Sequence, residues 1–353
     1  MSQGIQDAAL GAQSIAVIVP AYNATEYLQR ALPPLVEMRD RGDVHEVIVV
    51  DDLSSDDTAS FAAASGARVL TTPERSGPGR ARNIAAAATD CEILWFVDAD
   101  VVVAPDGPSH LVEAFRDPEV TAVFGSYDDE PPERNFFSQY KNLTHHYYHQ
   151  RAKPEASTFW AGCGAVRRQA FLKLGGFDIE RYRQPSIEDI ELGYRMRAVG
   201  GRILLLPDLN GTHLKRWTFS NVIVTDIFKR ALPWSRLMLH ESGMVEDLNV
   251  GRAERLRAMV AGLFVVSPLA VVFGWPLAWL TTALALIVLV ANWQFFDFLR
   301  RRRGLAFAIA GLLFHQLYYV YGTAAFSWCW LERLFTGTAR GGAASQTLGR
   351  RQT

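Results

Sequence analysis

Two long stretches of this chain lack charge altogether: no Asp, Glu, Lys or Arg lies between Ala258 and Phe296, and none between Leu305 and Trp330. That absence excludes ordinary soluble helices, which carry charge on their outer face. A hydrocarbon layer about 30 Å thick needs roughly 20 apolar residues per crossing. The first stretch is therefore expected to cross a membrane twice, broken at Gly274-Trp275-Pro276, and the second once; a buried hairpin in a large soluble core is the blander alternative. Arg252, Arg255 and Arg257 precede the first stretch, and Arg300 to Arg303 separate the two. The positive-inside rule sets both clusters on the cytoplasmic side. A third crossing leaves the tail outside, whereas Arg340, Arg350 and Arg351 favour inside, so the side of the tail stays open.

Other scarcities narrow the classes further. There are three cysteines, Cys91, Cys163 and Cys329, far apart and without metal-type spacing, as a reduced compartment allows. The formal net charge of −1, with 21% charged residues, gives no reason to expect nucleic acid as a partner. Met1 to Gln13 has neither a basic start nor a continuous apolar core, so no secretory signal is expected. The expectation is a multi-pass protein of the plasma or inner membrane with a cytoplasmic catalytic domain.

What is present in the first two-thirds is an alternation of short β-branched runs and helical spacings. Strands are expected at Ser14 to Pro20, His45 to Val50, Ala67 to Leu70 and Ile93 to Val97, with helices at Thr25 to Met38, Asp57 to Ser65 and Arg80 to Ala88. This β-α-β order implies an α/β fold with a doubly wound, mostly parallel sheet. Ligands bind such sheets at the carboxyl ends of strands. Pro20-Ala21-Tyr22-Asn23, Asp51-Asp52 and Asp98-Ala99-Asp100 each follow a strand, so all three converge on one edge.

Each cluster has a chemical and a plain reading. Asp98 and Asp100 can hold Mg²⁺ or Mn²⁺ against a diphosphate, or simply solvate a turn. Asp51 or Asp52 can accept hydrogen bonds from a base or ribose, while Ser54 or Ser55 caps the next helix. Ser76 to Asn83 matches a dinucleotide Gly-rich loop only weakly, lacking its third glycine; Arg82 is read as functional and Arg80 equally well as a surface residue. Ser186-Ile187-Glu188-Asp189 has the pattern of a capping box, yet Asp189, or failing it Glu188, could be the general base that deprotonates an acceptor hydroxyl. His213 is a candidate third metal ligand beside Asp98 and Asp100. His145, His146 and His149 have helical spacing and aromatic neighbours, which favours packing over zinc.

At this point the chain resembles the family 2 glycosyltransferases of GT-A fold. Seven segments carry the likeness in order: Ile18 to Asn23, Val50 to Asp56, Gly79 to Asn83, Asp98 to Asp100, Trp160 to Gly164 with Arg167-Arg168, Gly175 to Asp178, and Glu188 to Leu192. The resemblance implies that Pro20, Ala21, Tyr22 and an aspartate of Asp51-Asp52 contact the nucleotide. It also implies that Asp98 and Asp100 serve diphosphate and metal, and that Asp189 is the base of a single inverting displacement. Trp160, Gly162, Cys163, Arg216 and Trp217 would then serve acceptor or phosphate. Leu53 stands where the family has Gly, and His213 where processive members have Gln; the latter favours single-sugar transfer.

The reading is a metal-dependent inverting glycosyltransferase using a nucleotide-sugar donor, UDP favoured, and a lipid-linked or membrane acceptor. Its expected parts are the catalytic domain 14–224, an interfacial helix and linker 225–257 lying on the lipid bilayer, a membrane region 258–330 and an unordered tail 331–353. A nucleotidyltransferase or a catalytically silent membrane scaffold are the alternatives.

Overall fold

The structure, a computed structural model, describes residues 14–239, 251–274 and 278–347; the expectation for Met1 to Gln13 lies outside them. The chain divides after Trp217 into two compact units.

In the first unit the apolar runs form the expected strands. β1 (Ile15–Ala21), β2 (Glu46–Asp51), β3 (Arg68–Thr71) and β4 (Ile93–Val97) alternate with α1 (Thr25–Asp40), α2 (Thr58–Ala64) and α3 (Gly77–Ala87). All seven residues of β1 and all five of β4 are buried, as continuous apolar strands of parallel sheets require. After β4 come β5 (Val101–Val103), α4 (Gly107–Phe115), β6 (Val120–Tyr127), α5 (Phe136–His149), β7 (Glu155–Ala156), β8 (Cys163–Arg167), α6 (Arg168–Lys173), α7 (Glu188–Ala198) and β9 (Arg202–His213). The strand order is β3-β2-β1-β4-β8-β6-β9-β5, with β7 on β9. β1, β2, β3 and β4 pair in parallel, and β8 enters antiparallel between β4 and β6. The sheet is thus mixed, with most strands pointing one way.

The parallel register puts Ala21 opposite Asp51 and Ile18 opposite Phe96, so the ends of β1, β2 and β4 share one edge. Two close approaches bring further segments there. Asn83 Nδ2 donates to Phe177 O at 2.9 Å while its Oδ1 accepts from Phe177 N at 2.9 Å, which clasps α3 to the loop before α7. A Cβ on Gly193 would lie 2.4 Å from Phe159 N; only glycine lets α7 pack against the 158–162 segment.

In the second unit, α8 (Phe219–Val224), a π-helical turn (Thr225–Ala231) and α9 (Leu232–Leu237) form one helical run. The residues expected to lie in a lipid interface are divided: Phe228 is exposed, whereas Asp226, Ser235 and Leu237 are buried. Tyr321 Oη donates to Asp226 Oδ2 at 2.7 Å. Residues 240–250 of the expected linker lie outside the described residues. α10 (Arg252–Val266) and a 3-10 turn (Ser267–Phe273) lead towards α11 (Ala278–Ala291), then α12 (Trp293–Arg303) and α13 (Leu305–Thr347). Of the expected break, Gly274 is described, while Trp275 and Pro276 are not.

The expectation of three crossings needs correction. Among the described residues one helix, Leu305–Phe335, is long and apolar enough to cross a membrane, and α11 with α12 qualifies only as a pair bent by 75°. The physical reason is length: α10 has 15 residues and α11 has 14, short of the roughly 20 that a crossing needs. The expected unordered tail is also helical as far as Thr347. No proline interrupts residues 331–347, and proline is the strongest helix breaker.

Gly193→Ala is expected to destabilise the first unit by about 2 kcal/mol or more, because the obstructing atom is backbone and cannot rotate away. Urea denaturation followed by circular dichroism measures it.

Candidate active site

The ends of β1 and β2 are joined by short polar bonds. Asn23 N donates to Ser54 Oγ (2.9 Å), and Ser55 N donates to Asn23 Oδ1 (2.8 Å). Both turns use left-handed backbone, with φ of 46° at Asn23 and 59° at Leu53. Leu53, where the resembled family has Gly, keeps that left-handed turn and bears its strain, while its side chain is 45% exposed. Helix capping by Ser54 or Ser55 is not found. Asp56 does that work: Oδ1 accepts from Thr58 N (3.1 Å), and Oδ2 from Thr25 N (3.2 Å) and Thr25 Oγ1 (2.9 Å). Burial pushes the Asp56 carboxyl up, but the bonds from Thr58 and Thr25 outweigh it and hold it below the usual carboxylate range.

The two adjacent aspartates differ in occupation. Asp51 is buried and receives Ser54 N at 3.3 Å on each oxygen. Asp52 receives Thr72 Oγ1 (2.8 Å), Ser76 N (2.9 Å) and Gly77 N (2.8 Å), so it ties down the loop before α3. Pro20 lies past the end of the β1 and β4 ladder, and Ala21 is buried. Tyr22 is 38% exposed under the guanidinium of Arg75, 3.9 Å from its ring centre. Arg75 was not singled out in the sequence; nothing in a loop arginine signals a stacking partner. Arg80 pairs with Glu74 at 3.0 Å on the surface.

Arg82 is buried, packed near Phe96 and Phe177. Its Nη2 donates to Asp98 Oδ1 at 2.5 Å and its Nη1 lies 3.9 Å from Glu188 Oε1. On the other side of the Asp98-Ala99-Asp100 turn, Asp100 Oδ2 meets His213 Nε2 at 3.6 Å. The His213 ring is stacked on Tyr127, centroids 4.3 Å apart and 6° from parallel. Tyr127 also went unread in the sequence, since its strand was not among those expected. His146 and His149 place Nδ1 at 2.7 and 2.9 Å from the β6 carbonyls of Tyr127 and Gly125.

Burial raises the Asp98 carboxyl; Arg82 lowers it, but the charges of Asp100 and Asp189 raise it again, leaving it above its ordinary value. Burial also raises Asp100, yet His213 and Lys215 bring it below.

The capping-box pattern does not form. The residue before α7 is Ile187, and Ser186 N donates to Glu188 Oε2 at 2.8 Å. The Asp189 side chain reaches elsewhere: Oδ2 accepts from Ala161 N (3.1 Å), and Oδ1 from Ile190 N (2.8 Å). Since Asp98 N donates to Gly162 O at 3.0 Å, the 161–162 segment connects Asp189 to the end of β4. Glu188 is buried and raised to about 7, first by burial and then by the charge of Asp189, with Arg82 opposing.

Several expected contacts are not available as drawn. Cys163 is fully buried in β8, and burial pushes its thiol up to about 12; it packs rather than binds. Trp217 is buried as well, its backbone N–H donating to Ser138 Oγ at 2.8 Å. Arg216 points outward with 74% of its side chain exposed, 3.8 Å from Glu133. Trp160 is half-buried beside Tyr127, and a Cβ on Gly162 would strike its ring at 2.5 Å. Asp98, Asp100 and His213 do not form a ready three-ligand set: among the described residues no group of three or more His, Cys, Asp or Glu could hold a metal ion, and Arg82 engages Asp98. Two carboxylates, Asp98 and Asp100, can still join a cation that brings its remaining oxygen ligands with a diphosphate and water.

Residues 16–175 match the model of the family described as Glycosyl transferase family 2. The matched stretch covers a little under half of the chain. Over 221 residues the chain is 27% identical to the pre-mycofactocin glycosyltransferase of Mycobacterium tuberculosis, covering 58% of this chain and 44% of that one. Over 106 residues it is 36% identical to the glucosyl-3-phosphoglycerate synthase of the same organism, covering 28% and 32%. The chain thus spans less than half the length of these curated relatives. Among solved structures it is similar to the mannosyltransferase PcManGT from Pyrobaculum calidifontis in complex with GDP-Man and Mn²⁺, with TM-score 0.49, 19% identity and coverage of 89% and 87%. Another is the M. tuberculosis glucosyl-3-phosphoglycerate synthase with Mn²⁺ and UDP-glucose, with TM-score 0.47, 21% identity and coverage of 68% and 85%.

Two outcomes follow from the strain and the charge at this edge. Leu53→Gly is expected to stabilise the fold by about 1 kcal/mol, since relief of left-handed strain exceeds the entropy cost of glycine; chemical denaturation of both proteins decides it. Glu188, raised when folded, contributes stability below its unfolded value of 4.5 and loses it as pH climbs through about 7. Relative to the parent, Glu188→Gln should therefore gain on the order of 2 kcal/mol between about pH 5 and pH 8, read as the difference in denaturation midpoints.

Proposed function

We propose that the chain is an inverting glycosyltransferase that moves one sugar from a nucleotide-diphosphate donor, UDP-sugar favoured over GDP-sugar, to a lipid-linked or membrane-associated acceptor. The observation that carries this reading is the single edge at which Arg82 engages Asp98, His213 meets Asp100, and the Asp189 carboxylate is held by Ala161 N in the segment bonded to the end of β4.

Breaking a glycosyl-phosphate bond builds negative charge on the departing diphosphate. Asp98 and Asp100 would supply carboxylate oxygens to a divalent cation, Mg²⁺ or Mn²⁺, whose other ligands come with the diphosphate and water and which would supply Lewis-acid neutralisation of that charge. Tyr22 and Asp51 border the nucleotide end, and Asp52 keeps the intervening loop in place. Asp189 is the general base. As the acceptor oxygen forms its bond to the anomeric carbon, its proton passes to the Asp189 carboxylate and the diphosphate leaves with the electron pair of the broken C–O bond. The amide of Ala161 on Oδ2 and that of Ile190 on Oδ1 set the direction of that carboxylate, which is the positioning general-base catalysis needs.

The membrane acceptor rests on the second unit. Large apolar side chains lie on its outside in α10, α11 and α13, among them Met259, Leu263, Trp279, Val290, Ile309, Leu313 and Trp328; such a surface is unfavourable in water. In this reading α13 crosses the bilayer, the α10–α11 hairpin dips in from the cytoplasmic face, and catalysis takes place on that face.

Asp189→Asn should lower turnover by about a thousand-fold or more while leaving donor affinity, measured calorimetrically, within about two-fold. Lost donor affinity in that variant would refute the role. With labelled donor and native membranes, the product should partition into organic solvent; label confined to water-soluble product would remove the lipid acceptor from the proposal.

A further inference from the structure

The Arg82 guanidinium stands between an accessible carboxylate and an enclosed one. Its side chain is 5% exposed, that of Glu188 is 8% exposed, and that of Asp98 is 35% exposed. Only Asp98 is bonded to it, through Nη2 at 2.5 Å. Nη1 lies 3.9 Å from Glu188 Oε1, too far for a hydrogen bond. Among the described residues Arg82 Nε is buried without a hydrogen-bond partner. A guanidinium has five donors in a fixed fork, so this one is underused where it sits. Phe96 and Phe177, with ring centres 6.0 and 5.5 Å from its Cζ, confine it to a narrow slot.

Glu188 is held ready at the inner end of that slot. Ser186 N donates to its Oε2 at 2.8 Å, while Oε1 is the oxygen that faces Arg82. The start of α3 packs closely on it, since a Cβ on Gly79 would lie 3.7 Å from Glu188 Cγ. The charges that act on it are Asp189, its neighbour on α7, and Arg82 from α3; burial first and Asp189 second raise it to about 7, with Arg82 opposing. Glutamine there would avoid that cost, so the carboxyl points to a state of the protein in which its charge is used.

We propose that Glu188 is a positioning residue that takes over the Arg82 guanidinium when Asp98 turns to a divalent cation and the donor diphosphate. A cation on Asp98 repels the guanidinium, and a buried arginine left unpaired is strongly unfavourable. Glu188 is the second carboxylate beside it, and closing the gap to hydrogen-bond length takes a shift of about 1 Å. Glu188 then carries its charge, and the proton it held passes to the buffer. Because Glu188 and Asp189 open α7 side by side, donor loading reaches the general base through the first turn of that helix. The inference rests on the catalytic reading above, for the pairing exchange needs a cation and a diphosphate at Asp98.

The test is titration calorimetry of the full chain in detergent with premixed Mn²⁺ and UDP, and in parallel Mn²⁺ and GDP, in buffers of different ionisation enthalpy, which counts the protons released. At about pH 6.5 the parent should release on the order of half a proton more than Glu188→Gln, and at about pH 8.5 the difference should vanish. Protons lost by Asp98 or by the nucleotide are common to both proteins and cancel. Over the same range the parent should gain on the order of ten-fold in affinity relative to the glutamine variant. Glu188→Asp, which restores a carboxylate, should recover the release. A glutamate that only packs would alter stability and leave the proton count alone, so equal counts in parent and glutamine variant would overturn the inference. A parent whose affinity does not rise between the two pH values would overturn it with no variant needed. A parent that binds neither nucleotide with Mn²⁺ would refute the donor reading itself, and this inference with it.

Discussion

One buried guanidinium organises the catalytic edge. Asp98, Asp100, Glu188 and Asp189 would repel one another if brought together in a protein interior. Arg82 lies between two of them, bonded to Asp98 and close to Glu188, and His213 meets Asp100. This arrangement keeps α3, the end of β4 and the start of α7 at one place without complete neutralisation. The remaining negative charge is the feature a cation can use.

The neighbouring strand ends are held by a different means. Left-handed backbone at Asn23 and Leu53 and the three donors on Asp52 tie β1, β2 and the loop before α3 into a fixed rim. Strain of this kind persists only where surrounding bonds over-determine it. Here those bonds are the Asn23, Ser54 and Ser55 exchanges and the Asp56 clamp on Thr25 and Thr58. The outcome is an edge whose acidic residues are divided between holding the rim and facing the cleft, with Asp52 and Asp56 in the first role.

The alternation of β-branched runs with helical spacing made β1 to β4 and their order legible, because buried parallel strands are apolar throughout and short. Motif spacing also singled out Asp98, Asp100, Asp189, Arg82 and His213. It failed where a residue's partner lies far along the chain. Asp189 fits a capping box by local spacing, yet its carboxylate receives Ala161 N, a bond that exists because Gly193 lets α7 approach the 158–162 segment. Cys163 and Trp217 sit in motif-like surroundings but pack inward, and no local pattern distinguishes that from exposure. Charge-free stretches identified the apolar helices, whereas their lengths and the 75° bend at α11–α12 depend on packing.

Local composition by itself determined the sheet-forming segments, the strand ends where acidic residues gather, and the apolar character of the C-terminal third, since burial and backbone preference act within a few residues. Tertiary structure alone decided which carboxylates hold the framework and which face the cleft, and that Arg257 of α10 bonds the carbonyl of Ala291 at the end of α11. Hydrogen bonds and ion pairs act through space, and the contacts that assign each side chain its neighbour join positions tens of residues apart.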